Sequence, residues 1–535
     1  MSNFIGTFFA QSAARAGDTE FLVVPQDENR SYHPDGYVIS FAQATEIVGA
    51  WAHAFREAGY GHGHRIAVLL GNRPEMLLLK LALAECGISW VPVNPDYRPT
   101  EIAYLLQDSQ AVLAISAPEL AGLMRAGLKE SEGSIDLIEM HSDLPDLPKA
   151  RAMSPRTDPV SGETEASLIY TSGTTGRPKG CILSHDYEVQ MGKWYASCGG
   201  DIRFKTGETR VYCPLPAFHV NAAVLLLMCV IDQGCTQIIP ERFRASAWWR
   251  ELVETEATAA HYLGVIIPAL MNRDIEPYET KHKIEFAVGA GVEPTIHQAF
   301  EDRFGFPLIE VWGMTEMCRI LADCHAPRSV HTRAMGRPQA GLDVRVVDEM
   351  DTEVARGTPG EMVIRYDANT PRKGAFSGYL NLPDATEDAW RGGWFHTGDT
   401  VVMDDTDLIT FVDRKKNIIR RSGENIAAAE IEACLQEHAD VERVAVIAVP
   451  DKMRDEEVMA CVQATATTSP ELAEALFSWC FKRLAYYKAP GWVRFVPEVP
   501  VTGTQKIQKH ALFDVDEDPT AAAFDFRSRK KRGAL

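Results

Sequence analysis

The chain has 535 residues, of which 46% are hydrophobic and 24% charged, a composition that suits two or more domains with a large core. Its formal net charge is −20, which argues against a broad nucleic-acid-binding surface, because such a surface needs many clustered cations. An anionic ligand would have to bind at a local cationic cluster.

The cysteines and the apolar segments indicate the cellular compartment and whether the chain crosses a membrane. Eleven cysteines are scattered without a C-x-x-C pair, which disfavours both a zinc ribbon and a disulfide framework. The first ten residues lack the basic segment and the sustained apolar core of a signal peptide. Residues 222–231 form the most apolar segment, which is too short to cross a bilayer. We therefore expect a cytoplasmic protein without a transmembrane segment.

The first third of the chain alternates helix-like and strand-like patterns, which indicates an α/β fold. Apolar residues at helical spacing predict a helix over 41–58, which Gly59 is placed to end. Buried strands are predicted at 65–71 and 90–94, with a helix over 75–86 between them.

A glycine-rich loop at residues 170–180, Tyr-Thr-Ser-Gly-Thr-Thr-Gly-Arg-Pro-Lys-Gly, follows a strand predicted at 166–169. Its glycines let backbone N–H groups approach a ligand, and its hydroxyls and cations add donors that suit a polyphosphate. The loop is not of the G-x-x-x-x-G-K-[ST] type, because Arg177 follows its second glycine and Gly180 follows Lys179. A flexible surface loop is the alternative, since glycine and hydroxyl residues are common in turns.

Three later strands are predicted to end near polar or small residues. Residues 211–221 form a strand and a proline-kinked turn, with His219 where the turn meets an apolar helix. Residues 286–292 contain Gly-Ala-Gly, and residues 308–316 end in Gly-Met-Thr-Glu. Ligands collect at the carboxyl ends of strands in open α/β sheets, so these ends predict a single crevice. Glu316 is either an ordinary surface acid or, beside a polyphosphate, a Mg²⁺ ligand.

From Gly336 the pattern changes to short strand-like runs with frequent glycine and proline. Asp399 closes one of these runs, as a turn residue or as a carboxylate placed for ribose hydroxyls. The cationic stretch 413–421 predicts a linker into a small α+β domain, which carries Lys506 on a turn-rich loop. We interpret the basic tail at 527–532 as a frayed, solvated terminus.

Taken in order, these motifs resemble the adenylate-forming superfamily of acyl-CoA synthetases, peptide-synthetase adenylation domains and firefly-type luciferases. The matching segments cover nearly the whole chain: 170–180, 214–220, 289–292, 312–316, 360–361, 394–399, 413–425, 487–490 and the Lys506 loop. The resemblance implies a large α/β N-terminal domain of layered sheets and helices over 1–413, a hinge at 414–416, and a small mobile α+β C-terminal domain over 417–535. It also implies two reactions. A carboxylate attacks the α-phosphate of ATP to give an acyl-adenylate and pyrophosphate, and a thiol then expels AMP.

The same resemblance assigns roles in the first reaction. The β- and γ-phosphates of ATP would lie against the glycine loop, at Thr171, Ser172, Gly173, Thr174, Thr175, Gly176 and Lys179. The adenine and α-phosphate would lie against Gly289, Ala290, Gly291, Trp312, Gly313, Met314 and Thr315. Asp399 and Arg414 would bind the ribose, Glu316 would hold Mg²⁺, and Lys506 would bridge the substrate carboxylate and the α-phosphate. Thr171 and Glu316 would act with Lys506 in catalysis.

The resemblance also assigns the thiol-transfer step. Lys416 would be the hinge, and Gly423, Glu424 and Asn425 would form the thiolation face of the small domain. His219 would be the gating residue between the nucleotide and acyl pockets. The chain departs from the family pattern at Gln505, where glycine usually precedes the catalytic lysine, and Gly503 nearby supplies backbone freedom.

The leading hypothesis is an acyl-CoA ligase similar to the carnitine- and crotonobetaine-type enzymes, with ATP and Mg²⁺ as cofactors and CoA as co-substrate. Its acid would be a medium-sized acyl or aromatic acid, because the expected pocket is mostly apolar, with Tyr262 and Arg319 as polar exceptions. A stand-alone enzyme that loads an amino or fatty acid onto a carrier protein is one alternative. A non-catalytic binding scaffold is another. The oligomeric state is open, and a homodimer is one alternative.

Overall fold

The computed structural model describes residues 4–131, 133–151, 154–171, 178–264, 266–414, 417–421, 424–451, 454–484, 486–501, 507–514 and 517–531. The chain forms two compact units. The first comprises Met1–Asp343 and Arg365–Phe395, and the second comprises Val344–Ile364 and His396–Leu535. Within the described ranges, no helix is both long enough and apolar enough to span a membrane.

The first unit alternates helices and strands as predicted. Its helices are α1 (Ile5–Ala16), α2 (Phe41–Glu57), α3 (Pro74–Glu85), α4 (Pro99–Ser109), α5 (Ala121–Glu130), α6 (His185–Ala196), α7 (Leu227–Gln233), α8 (Trp248–Glu254), α9 (Ile266–Met271), α10 (Pro294–Phe304) and α11 (Pro383–Ala389). Its strands are β1 (Glu20–Val24), β2 (Tyr37–Ser40), β3 (Arg65–Leu69), β4 (Ser89–Pro92), β5 (Leu113–Ser116), β6 (Asp136–Glu139), β7 (Glu165–Thr171), β8 (Lys179–Ser184), β9 (Arg210–Tyr212), β10 (Thr236–Ile238), β11 (Ala259–Leu263), β12 (Phe286–Ala290), β13 (Leu308–Met314), β14 (Met317–Ala322), β15 (Ala334–Gly336) and β18 (Gly378–Tyr379). The numbers β16 and β17 belong to strands of the second unit.

Two sheets organise the first unit. One has the order β14-β13-β12-β11-β9-β10-β1-β2, and its interior pairs are parallel, with antiparallel pairs at both edges. The other has the order β18-β8-β7-β4-β3-β5-β6, with β7, β8 and β18 paired antiparallel at one end. Mostly parallel strands with helical crossovers are typical of layered α/β proteins. The predicted fold class is confirmed.

A buried ion pair ties α3 to α6 in the interior of the first unit. Lys80 Nζ lies 2.6 Å from Glu188 Oε2, and both side chains are fully buried. The Lys80 amine also donates to Ser167 Oγ at 2.6 Å. Burial lowers the pKa of Lys80, and the Glu188 charge opposes that shift. Because neither charge is solvated, removing one of the two side chains would leave the other as an unpaired buried charge and would destabilise the fold.

The second unit contains β16 (Asp343–Val347), β17 (Gly360–Arg365), β19 (Phe395–Met403), β20 (Ile409–Arg414), β21 (Ile418–Arg421), β22 (Glu424–Ala427), α12 (Ala428–Gln436), β23 (Val441–Asp451), β24 (Asp455–Ala464), α13 (Pro470–Arg483), β25 (Trp492–Phe495) and β26 (Phe524–Asp525). Strands β20, β19, β17 and β16 lie side by side in that order. A second sheet has the order β22-β21-β24-β25-β26, with β23 also paired to β24. The helices α12 and α13 share an apolar core with this sheet.

The interpretation of the basic tail as frayed and solvated is wrong for Arg527 and Lys530. Arg527 Nη1 lies 2.9 Å from Asp451 Oδ2, and its guanidinium stacks 4.2 Å from the Trp492 ring centroid. Lys530 is buried and forms an ion pair with Glu457. The tail is held because Arg527 contacts an aromatic ring and a carboxylate of the second unit and Lys530 pairs with another carboxylate.

Glu457 is the centre of a charged cluster in the second unit. Its carboxylate accepts hydrogen bonds from Arg421 Nε at 2.9 Å and from Arg454 Nη1 at 3.3 Å, in addition to the Lys530 amine. Burial lowers the pKa of Lys530 to about 7, and Glu457 opposes that shift. One buried carboxylate therefore faces three basic side chains.

All eleven cysteines are free and buried. Burial raises the pKa of the Cys86 thiol to about 11 and that of Cys213 to about 12. They pack as small apolar residues, as expected from their scattered positions. The predicted hinge at 414–416 stays a prediction, since Lys415 and Lys416 lie outside the described residues.

Candidate functional site

The glycine-rich loop joins two antiparallel strands whose ends are anchored by α4. Thr171 on β7 pairs with Lys179 on β8, and these two residues flank the segment 172–177, which lies outside the described residues. Before the segment, the Tyr170 hydroxyl donates to Asp108 Oδ2 at 2.7 Å. After it, the Tyr104 hydroxyl donates to the Pro178 carbonyl at 3.2 Å. Both ends of the loop are therefore attached to one helix.

Tyr379 connects the lysine at the base of this loop to a predicted metal ligand. Lys179 Nζ lies 4.7 Å from the centroid of the Tyr379 ring. The Tyr379 hydroxyl donates to Glu316 Oε1 at 2.8 Å. Burial and the Glu316 charge both raise the pKa of Tyr379, so its hydroxyl stays protonated and can donate. Lys179 and Glu316 thus both contact the side chain of Tyr379. This residue was not predicted from the sequence.

Glu316 is suited to hold a magnesium ion whose other ligands are phosphate oxygens and water. Its side chain is buried, with 7% of the residue exposed. Among the described residues, no group of three or more His, Cys, Asp or Glu side chains forms a protein cage for a metal. Mg²⁺ commonly uses one or two carboxylates and takes its other ligands from water and phosphate oxygens. A single carboxylate near a lysine suits that arrangement.

The segment before Glu316 is fixed by α6 and by close strand packing. The Tyr187 hydroxyl, on α6, donates to the Thr315 carbonyl at 2.8 Å. Trp312 is buried, and Met314 at the end of β13 pairs with Met317 on β14. A Cβ atom on Gly313 would lie 2.9 Å from the Ile320 side chain, so glycine is needed for this approach.

A buried carboxylate supports the predicted adenine loop. Glu310 on β13 accepts hydrogen bonds from the Gly291 N–H at 2.8 Å, from the Val292 N–H at 3.2 Å and from the Tyr262 hydroxyl at 2.8 Å. Burial raises its pKa, and these three donors oppose the shift. Glu310 was not predicted from the sequence, where its signal is an acid inside an otherwise apolar strand.

The glycines of this loop are required by close backbone contacts. A Cβ atom on Gly289 would lie 2.3 Å from the Tyr262 carbonyl oxygen. Gly291 has a φ of +90°, a left-handed conformation that favours glycine. Ala290 lies at the end of β12 between them and is exposed. Two of the three residues predicted to contact adenine are therefore glycines that the local backbone requires, and the contact with an aromatic ring stays a prediction.

His219 precedes a π-helix at Asn221–Leu226, a distortion that is frequent at functional sites. Asn221 Oδ1 lies 2.7 Å from His261 Nδ1, and His261 Nε2 lies 2.8 Å from the Tyr195 hydroxyl. Burial lowers the pKa of His261 to about 3, so the ring is neutral and links a donor to an acceptor. Sequence reasoning identified His219 but not the network of Asn221, His261 and Tyr195 beside it.

In the second unit, a short network holds the predicted ribose aspartate. Asp399 on β19 is buried, and its backbone N–H donates to Thr397 Oγ1 at 3.1 Å. The Gly398 N–H donates to Glu361 Oε1 at 3.1 Å. The strand register places Arg414 on β20 directly opposite Asp399. The two residues predicted to bind ribose are therefore neighbours across the sheet.

The remaining predicted site residues belong to the second unit. Glu424 and Asn425 begin β22, which pairs with β21. Lys416, Gly423 and Lys506 lie outside the described residues, as do Gly503 and Gln505. Their assigned roles stay predictions.

Two family descriptions match the chain. Residues 9–380 match the AMP-binding enzyme family, and residues 430–506 match the AMP-binding enzyme C-terminal domain. Crotonobetaine/carnitine–CoA ligase of Proteus mirabilis (strain HI4320) is 30% identical over 489 residues, which cover 88% of this chain and 92% of the relative. Sulfoacetate–CoA ligase of Cupriavidus necator is 29% identical over 520 residues, with coverage of 95% and 97%.

Solved structures show the same fold. A benzoate CoA ligase from Burkholderia xenovorans LB400 superposes with a TM-score of 0.78 at 22% identity, covering 95% of this chain and 99% of its own. ATP-bound MatB from Rhodopseudomonas palustris has a TM-score of 0.76 at 22% identity, with coverage of 96% and 98%. The chain therefore belongs to the AMP-binding enzyme family, as an enzyme of its acyl-CoA synthetase branch, which confirms the class predicted from its motifs.

Proposed function

We propose that the protein activates a medium-sized acyl or aromatic carboxylic acid with ATP, releases pyrophosphate, and transfers the acyl group to CoA. The observation that carries the proposal is the arrangement of Lys179, Tyr379 and Glu316 at the base of the glycine loop. The arrangement supports the proposal because a cation at the edge of a loop rich in hydroxyl residues and glycine contacts the same tyrosine as a carboxylate, and we propose that this carboxylate holds Mg²⁺. Such a combination suits a polyphosphate.

The adenylation step joins two anions, so positive charge should dominate its barrier. Lys179 and the backbone donors of the glycine loop would bind the departing pyrophosphate. A magnesium ion held by Glu316 would neutralise phosphate charge when bound. Lys506 would bridge the substrate carboxylate and the α-phosphate, and Thr315 would contact the α-phosphate.

Residues from several of the predicted motifs would position the nucleotide. In the first unit, the loop 289–291 and Trp312 would flank adenine, and the three donors on Glu310 support this loop. In the second unit, Asp399 and Arg414 would bind the ribose hydroxyls, which their cross-strand register supports. Orienting the α-phosphate in this way converts binding energy into rate.

The second step would use a different face of the small domain. We propose the domain boundaries predicted from the sequence, with residues 414–416 as the hinge. Rotation about this hinge would move Lys506 away from the reacting groups and bring the face at 423–425 to them. His219 would separate the nucleotide and acyl pockets. The buried, unpaired cysteines support a reducing compartment such as the cytoplasm.

The acid pocket is proposed from residues that are mostly apolar. Buried side chains near the predicted site include Val288, Val292, Ile320 and Leu321, and Tyr262 is engaged by Glu310. An apolar lining favours a medium-sized or aromatic acyl group, because burial of its carbon atoms supplies the affinity.

A thioesterification screen tests the proposal. Purified protein is incubated with ATP, Mg²⁺ and CoA, together with aryl, medium-chain, dicarboxylic and betaine-type acids, and pyrophosphate and thioester are both measured. We expect acid-dependent pyrophosphate release and acyl-CoA formation. Loading of amino acids onto a phosphopantetheinylated carrier protein, without any turnover of CoA, would contradict the proposal.

A further inference from the structure

An arginine on β14 is buried between two aromatic rings. Arg319 is 5% exposed, and its guanidinium carbon lies 4.5 Å from the centroid of the Tyr366 ring and 5.5 Å from that of Trp194. Its Nη1 donates to the Lys373 carbonyl at 2.7 Å, and its Nη2 donates to Gln190 Oε1 at 3.2 Å. Both acceptors are neutral. The rings stabilise the guanidinium through cation–π contacts, but neither they nor the two acceptors carry a negative charge.

No carboxylate of the described residues forms an ion pair with Arg319. Asp186 is linked to it through the side-chain amide of Gln190, which accepts from Arg319 and donates to Asp186. A guanidinium has five N–H donors, and two of the five are used here. A buried, unpaired cation is costly, which makes an anion from outside the chain a favourable partner.

The backbone opposite Arg319 leaves room for its head group. Gly374 has a φ of +74°, and a Cβ atom there would lie 2.3 Å from Arg319 Nη1 and 2.8 Å from Cys318 Sγ. Any other residue would push the guanidinium out of its position between the rings. The cationic head is therefore held in place from three sides.

Helix α6 relates Arg319 to the proposed reaction centre. Tyr187 on α6 holds the Thr315 carbonyl, and Gln190, three residues later, holds Arg319. Three residues advance a helix by about 4.5 Å along its axis. The side chains that hold the Thr315 carbonyl and Arg319 therefore leave α6 about one helical turn apart, and the proposed function puts the reacting carboxylate near Thr315. A short or medium-length acid can span such a separation.

We propose that Arg319 is a specificity-determining residue that binds a second anionic group, a carboxylate or sulfonate, at the far end of the acid. This inference rests on the proposed function and narrows its substrate class to acids with two anionic groups. A planar guanidinium can bind either anion through two parallel hydrogen bonds. The same charge repels a trimethylammonium group and finds no partner on an alkyl or aryl end.

The test compares pairs of acids that have nearly the same shape. Succinate is paired with 4-methylpentanoate, and benzene-1,4-dicarboxylate with 4-isopropylbenzoate, while 4-(trimethylammonio)butanoate represents the cationic class. The measured quantity is kcat/KM for CoA thioester formation, with pyrophosphate release followed in parallel. We expect the wild type to prefer at least one dianionic acid over its neutral-ended counterpart on the order of 10²-fold.

Three variants assign that preference to a residue. Arg319→Met should reduce the preference to near unity, mainly through KM for the dianionic acid, and Arg319→Lys should retain part of it. Arg372→Met is the matched control, because Arg372 is exposed and already paired with Glu387 at 2.7 Å, and it should keep the wild-type preference. Melting temperatures verify that each variant is folded.

The outcomes separate this inference from the proposed function. Turnover of neutral-ended or trimethylammonium acids at least as efficient as that of the dianionic acids would overturn the inference and leave the ligase function standing. A dianion preference that persists in Arg319→Met would also overturn it. If Arg319→Met does not fold, an unreduced preference in Arg319→Lys overturns it, and a reduced one supports it. Absence of acid-dependent pyrophosphate release with every acid would overturn both.

Discussion

Replacing Tyr379 by phenylalanine tests the connection between Lys179 and Glu316. The substitution removes one hydroxyl, which donates to Glu316 Oε1 at 2.8 Å, and keeps the ring that lies 4.7 Å from the Lys179 amine. A hydrogen bond to a charged group contributes about 1.5–3 kcal/mol. About 1.4 kcal/mol corresponds to a factor of ten. The substitution should therefore weaken the effective affinity for Mg²⁺ at Glu316 by roughly 10- to 150-fold.

The effect should appear in the magnesium dependence of adenylation. Without the hydroxyl, Glu316 loses the donor that orients its carboxylate, so the metal concentration at half-maximal rate should rise by about tenfold or more. Acid-dependent pyrophosphate release, measured over a Mg²⁺ series at saturating ATP, reports this shift. The melting temperature should fall by no more than a few degrees, because the ring remains in place and one hydrogen bond is lost.

Tyr278→Phe is the matched control. The Tyr278 ring also lies near a lysine amine, with Lys281 Nζ 5.4 Å from its centroid, and within the described part of the chain no contact joins it to a predicted site residue. This variant should keep the wild-type magnesium dependence. If Tyr379→Phe shows the same magnesium dependence and rate as the wild type, the reasoning about Glu316 is refuted.

Three further predictions address other parts of the chain. Lys506→Ala should lower the adenylation rate on the order of 10²–10³-fold yet still convert supplied acyl-AMP to acyl-CoA, and equal loss of both half-reactions would make Lys506 structural. Lys80→Met should lower the free energy of unfolding by about 3–5 kcal/mol in denaturant titrations, because Glu188 is left as an unpaired buried charge, and a loss below about 1 kcal/mol would contradict this. Lys530→Met tests a pH dependence: burial lowers the pKa of Lys530 from 10.5 to about 7, so the unfolded chain binds more protons between these values. The unfolding free energy of the wild type should therefore rise relative to that of Lys530→Met from pH 7 to 9, and a constant difference would exclude the shift.

Local patterns predicted the elements of the first unit well. The helix expected over 41–58 is observed as α2 (Phe41–Glu57), because a Ser40–Gln43 capping box and apolar spacing both lie within the segment. The predicted strand at 65–71 is observed as β3 (Arg65–Leu69). The order of strands in each sheet was not predicted, since pairing depends on contacts between distant segments.

The same limit applies to the candidate site. Motif residues such as Lys179 and Glu316 carry their own signal, in glycine spacing and in a polar strand end. Tyr379 lies 63 positions from Glu316, and nothing near either residue indicates their hydrogen bond. The basic tail is the opposite case, because a run of cations is normally solvated and only the fold supplies Glu457 as a partner for Lys530.

The burial of all eleven cysteines has a consequence for an enzyme that makes activated esters. An acyl-adenylate is a mixed anhydride, and any accessible thiolate would capture its acyl group. A folded chain without an accessible thiol leaves the thiol of its co-substrate as the favoured acceptor. The cysteines of the protein are thereby protected from acylation by its own adenylate intermediate. A chromogenic thiol reagent added to a reaction mixture of the folded enzyme should accordingly measure only the CoA that has not been acylated.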